Sequence, residues 1–118
     1  MNLPPDKVIF DKLMGGIVDS LLIYRYQIGI LLEGGNRIVV LCPFCFGRND
    51  EIEQMEWVEF PIAKTEMTRI LGSKVTHASA GKDHHLRIEF STGDTLFVCW
   101  TPMYESYELI IEGKSFIV

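Results

Sequence analysis

The chain has 118 residues, 47% of them apolar and 23% charged, and its 11 Lys plus Arg against 16 Asp plus Glu leave a formal net charge of −5. That size fits one domain over residues 1–118 with material for a sizeable core, which excludes a disordered or low-complexity chain. The acidic balance argues against nucleic-acid binding, which needs a surplus of Lys and Arg on one face, and suits a basic protein partner instead.

In chain order, Met1 to Phe10 lacks a signal-peptide core, and Gly15-Gly16-Ile17-Val18 is a glycine-led opening to a first unit. Tyr26, Ile28, Ile30 and Leu32 then share one parity, Glu33-Gly34-Gly35-Asn36 has turn composition, and Ile38, Val40, Cys42 and Phe44 share one parity again. Such alternation on both sides of a glycine turn predicts a β-hairpin. The apolar run from Ile38 to Gly47 is far shorter than the ~18 residues of a membrane span, so the reading is a soluble, cytoplasmic protein. From Asp50 to Phe60, near-helical spacing of Ile52, Met55 and Val58 competes with the strand formers Trp57, Val58 and Phe60, and we read a strand. Ala63, Met67, Ile70 and Leu71 lie near one helical face with Gly72 placed to end it, which predicts a short helix from about Ile62 to Leu71.

A second glycine-led segment, Gly72-Ser73-Lys74-Val75, precedes a second hairpin. Leu86, Ile88 and Phe90 alternate with polar residues, Ser91-Thr92-Gly93-Asp94 turns the chain, and Leu96, Val98 and Trp100 follow. The halves superimpose along the sequence: Gly15 and Val18 match Gly72 and Val75 at 57 positions, and Ile28, Ile30, Gly35 and Ile38 match Leu86, Ile88, Gly93 and Leu96 at 58. This reads as an internal repeat of two β-meander units, although any two amphipathic hairpins align to some degree. Tyr107 to Ile111 and Ser115 to Val118, across Glu112-Gly113-Lys114, form a last small hairpin.

The expected fold is mainly β, a β-rich α+β arrangement in which the two meanders make an antiparallel curved sheet or half-barrel with the short helix packed on it. Tyr26, Ile28, Ile30, Ile38, Val40, Leu86, Ile88, Phe90, Leu96, Val98 and Trp100 are expected to share its core. Val39, Leu41, Phe97 and Cys99 are apolar on the opposite parity, so those strands are expected to be covered on both faces, the helix supplying the second cover.

Cys42-Pro43-Phe44-Cys45 has the spacing of a thiol–disulfide exchange site and resembles the glutaredoxin motif. Its context differs: β-like sequence precedes it, a turn composition follows, and the acidic residues downstream raise a thiol pKa. The competing reading buries Cys42 as a small hydrophobe and uses Pro43 to end an edge strand. Three cysteines, an odd number, imply no disulfide framework. Cys42, Cys45, Cys99, His77, His84 and His85 offer one paired motif where a zinc site ordinarily uses two, so no metal or other cofactor is expected. No serine lies in a nucleophile elbow and no glycine loop has phosphate-cradling spacing, so no catalytic residue is assigned.

Binding is the better reading. Asp50, Glu51, Glu53, Glu56 and Glu59 surround Trp57, a pattern in which carboxylates steer a basic partner and the indole anchors it. The alternative is a solvated edge strand with Trp57 turned into the core. Tyr104 and Glu105, within Met103-Tyr104-Glu105-Ser106-Tyr107, form a second candidate surface, or else a packed turn.

The pattern Leu86-x-Ile88-x-Phe90-x-x-Gly93-x-x-Leu96-x-Val98, followed by Tyr104-Glu105-Ser106-Tyr107-x-Leu109, resembles a family of small uncharacterised bacterial β-rich domains with a Tyr-Glu-Ala-Trp-like ending. The likeness runs from about residue 15 to 111, with Ser106 and Tyr107 departing from Ala and Trp, and the Cys-Pro-Phe-Cys element foreign to it. Small acidic domains of this kind are similar in character to the immunity proteins of bacterial contact-dependent toxin systems. The resemblance implies a cytoplasmic, non-enzymatic inhibitor that occludes a basic, nuclease-type toxin domain. The alternatives are a thiol–disulfide oxidoreductase using Cys42 and Cys45, and a non-catalytic subunit of another bacterial complex.

Overall fold

The computed structural model describes residues 3–48 and 55–118. A short helix, α1 (Lys7–Asp11), is followed by β1 (Val18–Ile23), β2 (Ile28–Leu32), β3 (Arg37–Val40), β4 (Phe44–Gly47) and β5 (Glu56–Val58). After a 3-10 turn at Met67–Ile70 come β6 (Val75–Ala80), β7 (Leu86–Phe90), β8 (Thr95–Val98), β9 (Tyr107–Ile111) and β10 (Lys114–Ile117). The fold is mainly β and antiparallel, as its alternation predicts. Its strands divide into two five-stranded sheets, β1-β2-β3-β9-β10 and β5-β4-β8-β7-β6, and do not close into a barrel.

The strand order has a two-fold logic. Each half builds a three-stranded meander and then sends its next two strands into the other half's sheet: β4 pairs with β8, and β9 pairs with β3. The backbone bonds repeat at the same sequence offset. Gly15 N–H donates to Val75 O (2.8 Å) and Gly72 N–H to Val18 O (2.9 Å), while Val18 N–H donates to Ser73 O (2.8 Å) and Val75 N–H to Gly16 O (2.9 Å). These reciprocal bonds flank an isolated bridge between Ile17 and Lys74, themselves equivalent residues, so an approximate two-fold axis passes through that bridge. Gly15 and Gly72 hold φ of 78° and 80°, a left-handed conformation that side chains resist and both halves require at the same place. Even the bulges correspond, at Val18/Ser20 in one meander and Val75/His77 in the other.

The predicted helix from Ile62 to Leu71 is replaced by the 3-10 turn, and the helix lies instead at Lys7–Asp11. Only Met67 and Ile70 of the proposed apolar face are buried; Ala63 and Leu71 are exposed. Thr65 and Thr68 are poor helix formers, the Thr65 hydroxyl accepts from Met67 N–H (3.0 Å), and the backbone is soon drawn into the Gly72–Val18 bond. α1 starts at Asp6, whose carboxylate accepts from Ile9 N–H (3.2 Å). Phe10 and Leu13 are the counterparts of Met67 and Ile70, so both segments plug the core from equivalent positions.

Three further expectations need correction. The alternation from Ile38 to Phe44 is not one strand: it breaks at Leu41 to Pro43, where proline lacks a ladder donor, and β4 continues in the other sheet. Tyr26 lies before β2 begins and is 62% exposed, with the Arg25 guanidinium 5.1 Å over its ring. Trp100, past the end of β8, is half-buried against the core edge, and the remaining nine expected core residues are buried. Without a covering helix, Val39, Leu41 and Phe97 are half-buried and Cys99 is exposed.

The halves differ in how each meander turn is tethered. Asn36 accepts from Glu112 N–H (2.9 Å) and donates to Lys12 O (3.4 Å). Its counterpart, Asp94, is fully buried and accepts from Arg69 Nη2 (2.6 Å), Arg69 Nε (3.4 Å) and the Thr92 hydroxyl (2.6 Å), with Arg48 Nε at 3.7 Å. Burial opposes the charged carboxylate, but the hydrogen bonds from Arg69 and Thr92 and the Arg69 and Arg48 charges outweigh it, so the carboxyl sits below its ordinary value. A depressed folded-state pKa contributes stability above the unfolded value near 4 that drains away as pH falls through the folded value. Asp94→Asn therefore lowers stability at pH 7 by about 1–3 kcal/mol in urea unfolding, because the buried side chain loses its charge-assisted bonds while Arg69 keeps only Glu66 (3.0 Å), and it flattens the pH dependence below pH 4. Equal acid sensitivity of variant and parent would contradict this assignment.

Candidate functional site

β5 is an edge strand, paired on one side with β4 through Phe44↔Val58, Cys45↔Trp57 and Phe46↔Glu56. Val58 turns inward and is buried, which by strand alternation sends Trp57 to the outer face. Trp57 is 51% exposed, and its indole N–H donates to Glu59 Oε1 (3.0 Å), which fixes the ring at the sheet edge. Glu56 and Glu59 are both exposed. Asp50, Glu51 and Glu53 lie outside the described residues.

The row containing Trp57 continues across the sheet through Cys45 and Phe97 to Arg87 and Ser79. Cys45 lies between two aromatic cross-strand partners and is only 8% exposed. Phe97 meets the His85 ring edge to face at 5.5 Å, so an apolar, aromatic strip leads inward from Trp57. Phe97 is absent from the sequence-derived site because its neighbours are set by the pairing of β4, β5 and β8, which local alternation does not reveal.

Tyr104 and Glu105 stand in the loop from Cys99 to Ser106, and both are exposed, Tyr104 at 56%. This loop leaves the sheet at the end where β8 and β5 finish and β4 begins, the end that carries Glu59. A groove of about 410 Å³ runs beside it, lined by Trp100, Thr101, Pro102, Tyr104, Glu105 and Ile117 among others. The loop base is pinned: Tyr107 donates its hydroxyl proton to His84 O (2.8 Å), and the His84 ring meets Trp100 edge to face at 4.8 Å. Burial raises the Tyr107 phenol well above its ordinary value and keeps it a donor. Trp100 N–H donates to His85 Nδ1 (2.8 Å), which leaves the ring Nε2 facing Asp83 at 3.4 Å. His84 holds φ of 66° ahead of β7 and so lies outside the strand. Among the described residues, no three His, Cys, Asp or Glu side chains gather to hold a metal ion.

The Cys-Pro-Phe-Cys element forms the crossing from the first sheet to the second. Cys42 is 3% exposed, and its thiol donates to Ser106 O (3.5 Å) with Cys99 O at 4.0 Å. Burial pushes the Cys42 thiol up to about 11, leaving almost no thiolate at neutral pH, and burial raises Cys45 as well. Iodoacetamide should accordingly alkylate Cys99 in the native protein at pH 8, while Cys42 and Cys45 react only on denaturation. Mass-spectrometric mapping reads this directly, and rapid native labelling of Cys42 would contradict it.

The sequence profile of a family described as of unknown function, DUF6188, matches residues 12–118. No curated protein and no solved structure matches the chain. The match covers both meanders and both exchanged hairpins, and on that ground the chain belongs to the DUF6188 family.

Proposed function

We propose that this domain is a cytoplasmic inhibitor that binds a basic bacterial toxin domain of the nuclease type and blocks it by occlusion, without chemistry of its own. The observation that carries the reading is the half-exposed Trp57, held by Glu59 on an edge strand and flanked by exposed carboxylates. A solvent-facing indole costs apolar hydration unless a partner covers it, and aromatic anchors of this kind dominate binding energy at interfaces. Tyr104 and Glu105, at the same end of the sheet, extend the acidic, aromatic character.

The charge supports the same partner class. A nuclease carries a cationic cleft for phosphates, and a chain of net charge −5 is drawn towards such a cleft. Glu56 and Glu59, with Asp50, Glu51 and Glu53 in the same acidic stretch of sequence, supply carboxylates in place of phosphates. The raised thiol of buried Cys42 offers no support for thiol–disulfide exchange.

The neighbouring reading frame is the first test, and where it encodes a cationic effector domain the two are paired. Coexpression should restore growth, and Glu56→Lys with Glu59→Lys should slow association by about tenfold or more, with the wild-type rate itself falling steeply as salt rises. Trp57→Ala should chiefly speed dissociation. Full protection by a correctly folded variant carrying all three changes would remove this surface from the interface, and a neighbouring metabolic operon in place of an effector would point to a subunit of another complex.

A further inference from the structure

The outer face of the first sheet departs from what an antiparallel sheet facing water requires. Pairing places Leu22, Gly29, Val39, Glu108 and Ile117 in one row across it and Ser20, Leu31, Arg37, Ile110 and Ser115 in the next. Leu22, Leu31, Val39, Ile110 and Ile117 are half-buried there, none of them belonging to the core or packing against it. A solvated face normally alternates to polar residues.

The two-fold repeat supplies an internal comparison. At the equivalent positions of the second sheet, Ser79 stands for Leu22, Arg87 for Gly29 and Glu89 for Leu31, whereas Phe97 keeps the position of Val39 apolar. The same backbone position accepts a polar side chain in one half, so the scaffold does not demand the leucines of the other. A cover over the first sheet would account for them.

The charges on this face identify what fits it. Its two rows carry one cation, Arg37, and one anion, Glu108, on the adjacent strands β3 and β9, displaced diagonally because Arg37 pairs with Ile110 and Val39 with Glu108, while the exposed Asp19 stands at the β1 bulge outside both rows. A two-fold axis lying in the face, midway between them and perpendicular to the line joining them, sets each Arg37 against Glu108 of a second copy. Two chains of charge −5 repel each other, and a face of balanced charge minimises that cost. A basic partner would find no surplus of carboxylates here.

We propose that this apolar sheet face, crossed by Arg37 and Glu108, is a self-association surface on which two copies of the chain pack face to face through an isologous interface. Five strands spaced ~4.8 Å apart and about five residues long give a footprint of roughly 400 Å² per copy in plan. That is about half of the ~800 Å² per partner of a standard-size interface, so the dimer is weak and reversible. It uses the other sheet from Trp57 and meets the groove beside Tyr104 and Glu105 only at Ile117.

Sedimentation equilibrium of the full chain from about 1 to about 500 μM tests the proposal. The expected result is a monomer–dimer equilibrium that Val39→Glu and Arg37→Glu each weaken by about tenfold or more, with the double variant Arg37→Glu/Glu108→Arg restored to within about threefold of the parent. Arg37 is exposed, so its variants decide the matter even if Val39→Glu fails to fold. A monomer at every concentration, a dimer indifferent to Arg37→Glu, or a double variant no stronger than the single one would overturn it, the first of these leaving the face to a different partner.

Discussion

Everything in this structure hangs on the reciprocal exchange of backbone between its halves. The bonds Gly15–Val75, Gly72–Val18, Val18–Ser73 and Val75–Gly16 lock the opening segments of the two meanders around Ile17 and Lys74. The two crossings make a second lock, where Leu41 N–H and the Cys42 thiol both donate to Ser106 O. Since each meander completes its sheet only with the other half's hairpin, neither half retains its strand partners alone. The cost is a topology rich in non-local pairing, which must close long loops before those contacts form.

The two locks also set where the surfaces lie. β4 and β9 enter their sheets beside β8 and β3, which leaves β5 and β10 at the outer edges and puts Trp57 on an edge strand. The repeat is approximate where surfaces are concerned. Asn36 and Asp94 tether equivalent turns with a neutral amide in one case and a buried carboxylate in the other, and the outer sheet faces differ as sharply at Leu22 against Ser79. A duplicated scaffold whose core matches and whose surfaces diverge presents two unlike faces, for which we propose self-association on one and a basic partner on the other.

Parity along the chain made most of the strands legible. Ile28, Ile30, Ile38, Leu86, Ile88 and Leu96 alternate around glycine turns, and the matched spacing of the halves marked the internal repeat, though not the division into two sheets. What local pattern missed is non-local. Nothing near Leu41 to Pro43 states that the chain changes sheets there, and the spacing of Met67 and Ile70 suits a 3-10 turn as well as a longer helix. The acidic, aromatic character around Trp57 was readable, whereas its row with Cys45 and Phe97 joins segments far apart in sequence.

Native-state hydrogen exchange of the backbone amides tests the central claim most directly. If the exchanged hairpins bind the halves into one cooperative unit, buried amides of β3 and β9 in one sheet and of β4 and β8 in the other share a single opening free energy, equal to that of global unfolding. Two separate plateaus, one for each half of the sequence, would contradict it.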